Sequence, residues 1–488
     1  MPESWVNLAE RIGSDLHVDL SGPGSRRAVL IRALRDAVRE GRLPPGTRLP
    51  PYRSLAADLG LARNTVADAY AELVAEGWLT ARQGSGTRVA ERAAPVRRPR
   101  QPKPVPARPA APAYNLRQGT PDAASFPRTA WLAAARRALA AAPNDAFGPG
   151  DPRGRIELRR ALADYLTRAR GVRADPERIV ICSGFAHALR LLFAGTRGAG
   201  GGVLRGPFAV ESYGLGFHRD ILAGAGIRTV PLGLDERGAL VEELSEGPQV
   251  RGVLLTPAHQ FPTGGPLHPE RRAAVVDWAR AGGGVVLEDD YDGEFRYDRE
   301  PVGAVQGLDP EHVVYLGSVS KSLSPAVRLG WMVLPERLVD GVLAAKGERE
   351  AWASALDQLT LAEFIAAGQY DRHVRRMRQA YRRRRDRLVD ALAERAPHIT
   401  ATGIAAGLHA VLRLPPGTEA SAVKAASWQG IALDGLAAFR HPEATMPPPA
   451  GLVVGYAAPT EHAYGAALEA LLRALPPGEG EAEGPEVR

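Results

Sequence analysis

Lysine is scarce in this chain. Of 62 Lys and Arg residues only four are lysine, at positions 103, 321, 346 and 424. A lysine amine can lose its proton and attack a carbonyl carbon, whereas an arginine stays charged. Lys321 sits in "YLGSVSKSLSPAVRLGW" (315–331), with Ser318, Ser320 and Arg328 around it. Asp289 lies near the end of "GVVLEDD" (284–290), and Tyr291 follows two residues later. "SGFAHAL" (183–189) reads as a turn into a helix, with Gly184, Phe185 and Ala186 at the turn. Taken singly, each has an ordinary reading: a surface cation, a strand-end salt bridge, a turn. In this chain order they are the parts a pyridoxal phosphate (PLP) site needs. Lys321 would form the Schiff base with the aldehyde, and Asp289 would hold the pyridinium nitrogen. Tyr291 would meet the phenolic oxygen. The helix N-terminus, Ser318, Ser320 and Arg328 would bind the phosphate.

Such residues work only if the fold gathers them. "RIVICSG" (178–184), "GVLLTPAHQ" (252–260), "GVVLEDD" and "HVVYLGS" (312–318) are Val-rich runs that end in small or polar residues. Helical stretches such as 186–194 and 268–281 alternate with them, which predicts an α/β unit with a mainly parallel sheet. Ligands in such sheets bind beyond the C-terminal strand ends, where every candidate falls. No set of metal ligands is expected.

The first part of the chain follows a different plan. "SRRAVLIRALRDAVREGRL" (25–43) has apolar residues at helical spacing, and "YRSLAADLG" (52–60) reads as a short helix. "LARNTVADAYAELVAEGW" (61–78) reads as another, with Asn64 or Thr65 near its start. "LTARQGSGTRVA" (79–90) is a hairpin with its tip at Gly84-Ser85-Gly86. This order predicts a winged helix-turn-helix. Its second motif helix would present Arg63, Asn64 and Thr65 to base edges of double-stranded DNA. Arg53, Arg82, Arg88 and the wing tip at Gly84 and Ser85 would meet phosphates. A protein-binding winged helix is the competing reading.

Charge follows the same division. Residues 24–92 carry a surplus of five positive charges and 93–113 another five, while 114–488 sum to zero. A polyanion partner is therefore expected for the first quarter. The expected domains are 1–92 (core 24–90), a Pro/Arg-rich linker at 93–113 holding seven prolines, a large domain at 114–476, and an acidic, disordered tail at 477–488. The single cysteine, Cys182, cannot pair within the chain, and the first twenty residues lack a signal-peptide pattern. No apolar run reaches about 18 residues. A cytoplasmic location is expected, with no membrane contact.

The stretch "LPPGTRLPPYRSLAADLGLARNTVADAYAELVAEGWL" resembles the GntR-type DNA-binding domain. Residues 115–475 look like a fold-type I aminotransferase domain, through "NLRQGTPDAASFPRTAW", "GDPRGRIELRRALADYL", "TPAHQFPTG", "EDDYDGEFRYD", "SVSKSLSPAVRLGW" and "LVVGYA". Together they resemble the MocR-type (GabR/PdxR-like) regulators. The resemblance implies a PLP-binding transcription factor, a head-to-tail homodimer, and the same roles for the residues named above.

Departures from the family pattern also stand out. Pro51 replaces a usual serine. In "VESYGLGFHRD" (210–220) Leu215 takes the place of the tyrosine that lies on the pyridine ring, with Tyr213 two residues early as the candidate. Pro149 replaces a tyrosine that reaches the other subunit's phosphate. Phe185, Ala186 and His187 stand where glutamines are usual, and His187 is read as structural. Arg440, in a loop before "LVVGYA", is the candidate for an effector carboxylate. Three functions fit: a regulator sensing PLP or an amine or amino-acid effector through Lys321, a working aminotransferase with a DNA-binding domain, and a regulator whose large domain no longer binds PLP.

Overall fold

The computed structural model describes residues 20, 23–82, 86–91, 112–194, 202–297, 302–347 and 353–478. Gly84 and Ser85, most of the expected linker and nearly all of the expected acidic tail lie outside the described residues. The chain divides into two compact units, Met1–Ala110 and Ala111–Arg488.

In the first unit, α1 (Arg26–Arg39) starts at Ser25, whose hydroxyl accepts from the Ala28 N–H at 3.3 Å. Its stripe of Leu30, Leu34 and Val38 meets Leu55 of α2 (Tyr52–Asp58) and Val66 and Leu73 of α3 (Arg63–Ala75). Each such side chain contributes about 1.5–3 kcal/mol on burial. The hairpin pairs β1 (Leu79–Arg82) antiparallel with β2 (Gly86–Val89), and Leu79 and Val89 close the core. Arg63 opens α3 behind Ala62, one residue ahead of the expected Asn64 or Thr65. Ala62 has no capping side chain, so the first-turn N–H groups are left to other acceptors.

The second unit centres on a seven-stranded sheet of β3 (Ile179–Cys182), β4 (Phe208–Glu211), β5 (Thr229–Leu232), β6 (Gly252–Leu255), β7 (Val285–Asp289), β8 (Val313–Ser318) and β9 (Gly330–Val333). The spatial order is β3-β9-β8-β7-β6-β4-β5. Only β9 runs antiparallel to its neighbours. The sheet is mainly parallel, as the sequence predicts. β3, β4, β7 and β9 are buried along their whole length, because helices cover both faces. Ile179 and Ile181 enter one core while Val180 and Cys182 enter another, the period-2 alternation of a strand.

Helices α4 (Arg128–Ala141), α5 (Ile156–Arg170), α6 (Phe185–Phe193), α7 (Gly216–Gly224), α8 (Pro269–Gly282), α9 (Glu336–Lys346) and α10 (Ala355–Ala366) interleave with the strands. α4, α5 and α10 pack on the Ile179 side, and α6, α7 and α9 on the Val180 side. A smaller antiparallel sheet follows: β10 (Thr400–Thr402), β11 (Ala410–Arg413), β12 (Asp434–Gly435) and β13 (Gly451–Val454). It shares a core with α11 (Gln369–Arg395), α12 (Glu419–Trp428) and α13 (Glu461–Ala474). Among the described residues, no helix is long and apolar enough to cross a membrane.

Candidate cofactor cleft and nucleic-acid face

A cleft of about 380 Å³ opens where the parallel strands end. Gly184, Phe185, Ala186, Tyr213, Asp289, Tyr291, Ser318, Ser320, Lys321 and Arg328 all line it. They come from segments of the sequence far apart, so the sheet topology brings them together.

Lys321 follows β8 by three residues, and its Nζ donates to the Gly119 carbonyl at 2.5 Å. Gly119 has φ +74°, and a Cβ there would stand 2.8 Å from that Nζ, so only glycine fits beside this amine. Burial lowers the Lys321 pKa, against an opposing pull from Asp289 and Asp292. Its neutral, nucleophilic form is thereby favoured. Asp289 closes β7. Burial raises its pKa well above the usual range, Lys321 pulls it back, and Asp290, Asp292 and Glu211 push it further up. A cationic partner beside such a carboxyl favours its charged form.

Beyond β7 the chain keeps its alternation. Asp289 and Tyr291 face the cleft, while Asp290 turns into the core. There it takes Arg170 Nε at 2.7 Å and Arg170 Nη2 at 3.0 Å, and the Tyr315 hydroxyl donates to it at 2.7 Å. The Tyr291 hydroxyl lies 3.0 Å from His259 Nδ1, and the same nitrogen is 2.9 Å from Asp292.

At the end of β3 the backbone turns through Gly184, with φ 99°, and enters α6 without a side-chain cap. A Cβ on Gly184 would meet nothing within 4 Å, so the turn opens on free space. The uncapped N-terminus, with Ser318, Ser320 and Arg328 nearby, makes an anion cradle. Arg328 has φ 56° and is the single non-glycine residue in left-handed backbone among those described. Such a conformation costs about 1–3 kcal/mol and persists where surroundings impose it. His187 belongs to the turn itself: its Nδ1 accepts from the Ser183 N–H at 3.0 Å, and burial lowers its pKa to about 4. That is the structural role expected for it.

Two expectations change in detail. Arg440 does not line the cleft. Its guanidinium donates to the carbonyls of Ala444 and Met446, so the loop that carries it folds back onto the charge. Tyr213 lines the cleft but is almost wholly buried, packed with Phe261, Phe439 and Val453. Pro149 is exposed.

Several cleft residues escape the sequence reading: Glu211, Phe217, His218, Arg219, Thr256 and Phe261. His218 lies 4.5 Å from the Phe185 ring and 4.2 Å from the Phe217 ring. Burial, then Lys321 and Arg219, lower its pKa to about 3, so it is neutral. Its signal was the "FHR" just after Leu215, in the first turn of α7.

In the first unit Arg53, Arg63, Asn64, Arg82 and Arg88 are exposed, and Thr65 is partly so. Arg63 donates to the Tyr52 hydroxyl at 3.2 Å and lies 5.2 Å over its ring. Arg63 first, then Arg53, lower the Tyr52 pKa, the mark of a positive local field. Positive side chains and uncapped helix N–H groups therefore share one end of α3. Arg88 also donates to the Gly46 carbonyl at 3.0 Å.

The family described as aminotransferase class I and II matches residues 112–471, and bacterial regulatory proteins of the gntR family match 27–89. A probable rhizopine catabolism regulatory protein, MocR, from Rhizobium meliloti is 33% identical over 456 residues, 88% of this chain and 89% of that one. The chain belongs to the MocR-type regulators. The pyridoxine biosynthesis regulator PdxR of Corynebacterium glutamicum is 33% identical over 397 residues, covering 80% of this chain and 83% of its own. Among solved structures, an archaeal alanine:glyoxylate aminotransferase superposes with a TM-score of 0.65 at 22% identity, over 74% of this chain and 90% of that one. A kynurenine aminotransferase from Pyrococcus horikoshii gives 0.65 at 24%, over 75% and 91%. These likenesses establish the fold. MocR-type regulators join a DNA-binding domain to an aminotransferase-like domain, and this chain does the same.

Proposed function

We propose that this MocR-type regulator binds PLP in the cleft through Lys321 and changes its DNA affinity when PLP binds there, or when an amine or amino acid displaces Lys321 from the aldehyde. The observation that carries this reading is the single cleft lined by Lys321, Asp289, Tyr291, Ser318, Ser320 and Arg328. PLP, when bound, supplies an aldehyde that condenses with primary amines. The open turn at Gly184 and the opposed shifts of Lys321 and Asp289 fit such a group. Lys321 presents a desolvated amine. Asp289 would hold a proton on the ring nitrogen, and that cation would give its buried carboxylate the missing partner. Tyr291 would face the phenolic oxygen, with His259 and Asp292 orienting its hydroxyl. The α6 N-terminus, both serines and Arg328 would hold the phosphate.

On this reading the chain works as a homodimer on an operator. A ligand that favours one arrangement of the large domain shifts DNA binding by its coupling energy, typically ~1–3 kcal/mol. Arg63→Ala should then cost ~1–3 kcal/mol of specific affinity, while Arg53→Ala weakens all sequences and lowers the salt slope by about 1.

The deciding experiment is an absorbance titration of the purified protein with PLP beside Lys321→Ala, with operator binding measured in parallel. A visible band in the parent only, with DNA affinity changing as it forms or shifts, supports the proposal. No band in either protein leaves a DNA-binding dimer with a vestigial enzyme domain. Rapid multiple turnover of amino acid and keto acid would instead support the aminotransferase reading.

A further inference from the structure

Resting on the reading of Lys321 as the residue that holds the PLP aldehyde, we infer that the cleft selects a primary amine with an apolar body and no carboxylate. The lining of the cleft is mixed in chemistry. Cations, serines and the open helix N-terminus gather at the phosphate turn. Tyr213, Leu215, Phe217 and Phe261 give the cleft an apolar lining. Tyr213, Leu215 and Phe261 pack in one apolar cluster with Val411, Leu436, Phe439 and Val453.

A carboxylate entering there would need a free cation. Among the described residues, the basic side chains lining the cleft besides His218 are Lys321, Arg328 and Arg219. Lys321 belongs to the aldehyde carbon at the reacting end, and Arg328 sits with Ser318 and Ser320. Arg219 faces backbone: Nη1 donates to the carbonyls of Gly214 at 3.0 Å and Phe439 at 3.3 Å, and Nη2 to that of Arg440 at 3.3 Å. Burial lowers its pKa, against a smaller opposing pull from Asp220. Arg440 spends its guanidinium on Ala444 and Met446. Arg440 lies beside Tyr213 and opposes the upward shift that burial gives its hydroxyl; that hydroxyl and Arg440 Nε are both buried. His218 is neutral.

The remaining ionisable groups in the cleft argue the same way. Glu211 and Asp289 are carboxyls, both raised in pKa first by burial, and neither offers a positive charge to an incoming carboxylate. Glu211 is also engaged by Thr256, whose hydroxyl donates to it at 2.6 Å. An uncharged, apolar substituent needs no such charge and buries against Phe261 and Leu215. Phe217, half exposed at 50%, stands at the mouth where such a body would pass.

The test uses PLP-loaded protein freed of unbound PLP, with its visible band as readout. Matched pairs are titrated: phenethylamine against phenylalanine, and isoamylamine against leucine. Each amine is expected to half-saturate the spectral shift at a concentration at least tenfold below its amino acid. An amino acid that binds as well or better overturns the inference, as does a protein that neither pair shifts. Phe217→Arg, which puts a cation at the mouth, should narrow the ratio at least fivefold; an unchanged ratio also overturns it. Failure of the band to form with PLP alone is a different result and falls on the functional reading above.

Discussion

Two of the four lysines, half-buried Lys321 and buried Lys346, lie at the ends of elements around the same sheet, and they do different work. Lys321 extends past β8 into an open cleft, where a single carbonyl, Gly119, receives its Nζ. Lys346 ends α9 and donates to two carbonyls, Pro152 at 2.6 Å and Ile181 at 2.7 Å. Burial lowers both pKa values, that of Lys346 to about 8. Neither scarcity nor burial therefore marks a reactive lysine. What separates them is surroundings: a cleft, a buried carboxyl and an anion cradle at Lys321, and backbone carbonyls at Lys346. Ile181 lies in the strand that leads to Gly184, so Lys346 ties down the end of β3 that carries the anion cradle.

The largest contrast comes from replacing each lysine in turn. Lys321→Ala should abolish the PLP band while changing unfolding free energy by no more than about 1 kcal/mol, because it removes a desolvated amine beside an open cleft. Lys346→Met should keep the band. Absorbance and urea unfolding on both variants decide this; a band lost in both would erase the distinction.

The sequence shows Lys321 because Ser318, Ser320 and Arg328 surround it just past a Val-rich run, and Asp289 and Tyr291 because another such run ends there. Nothing comparable marks Lys346, whose partners come from residues 152 and 181. β4, β5 and β9 are harder to read because none stands out as the Val-rich runs of β3, β6, β7 and β8 do, and β5 contains Pro231 while β9 holds Gly330 and Trp331. Without β4 as an anchor, His218 and Arg219 had no assigned place. Arg440 failed for a different reason: only the folded loop shows that residues 444 and 446 already hold its guanidinium. The core elements follow from periodicity, whereas the apolar lining of the cleft depends on contacts between distant segments.

Neighbouring carboxylates sharpen the same contrast. Asp290 is bound by Arg170 in the core, and both side chains are 2% exposed. Asp290→Asn should cost about 3–5 kcal/mol, the penalty of leaving a buried charge without its partner. Asp289→Asn should cost no stability without PLP. The folded-state pKa of Asp289 is raised above its unfolded value, so at neutral pH the carboxyl opposes folding, and the amide removes that burden. The same variant should raise the PLP half-saturation about tenfold, or ~1.4 kcal/mol, by losing the partner of the ring nitrogen. Denaturant unfolding with and without PLP tests both; equal loss of stability in the two variants would contradict it.

Lys346→Met comes next in size. The methionine fits the volume but leaves the Pro152 and Ile181 carbonyls without a donor, each a cost of ~1–3 kcal/mol. Relief from burying an amine offsets part of this. The expected net loss is about 2–4 kcal/mol, read as a lower urea midpoint at unchanged m-value.

The smallest effect is also the most diagnostic, because it isolates the Lys346 proton. An unfolded lysine titrates near 10.5 and the folded Lys346 near 8. Below pH 8 both states hold the proton, and the folded state bears the full cost of burying it. Between those values the folded state gives it up while the unfolded state keeps it. The unfolded state then binds more protons, so this lysine's contribution to stability rises with pH. From pH 8 to pH 9 the gain is about 1 kcal/mol. Other groups titrate over the same range, but they cancel when the parent is compared with Lys346→Met. The stability gap between the two proteins should therefore widen by that amount from pH 8 to pH 9. A constant gap would mean that Lys346 keeps its proton, and the two carbonyls would then act as fixed partners of a permanent charge.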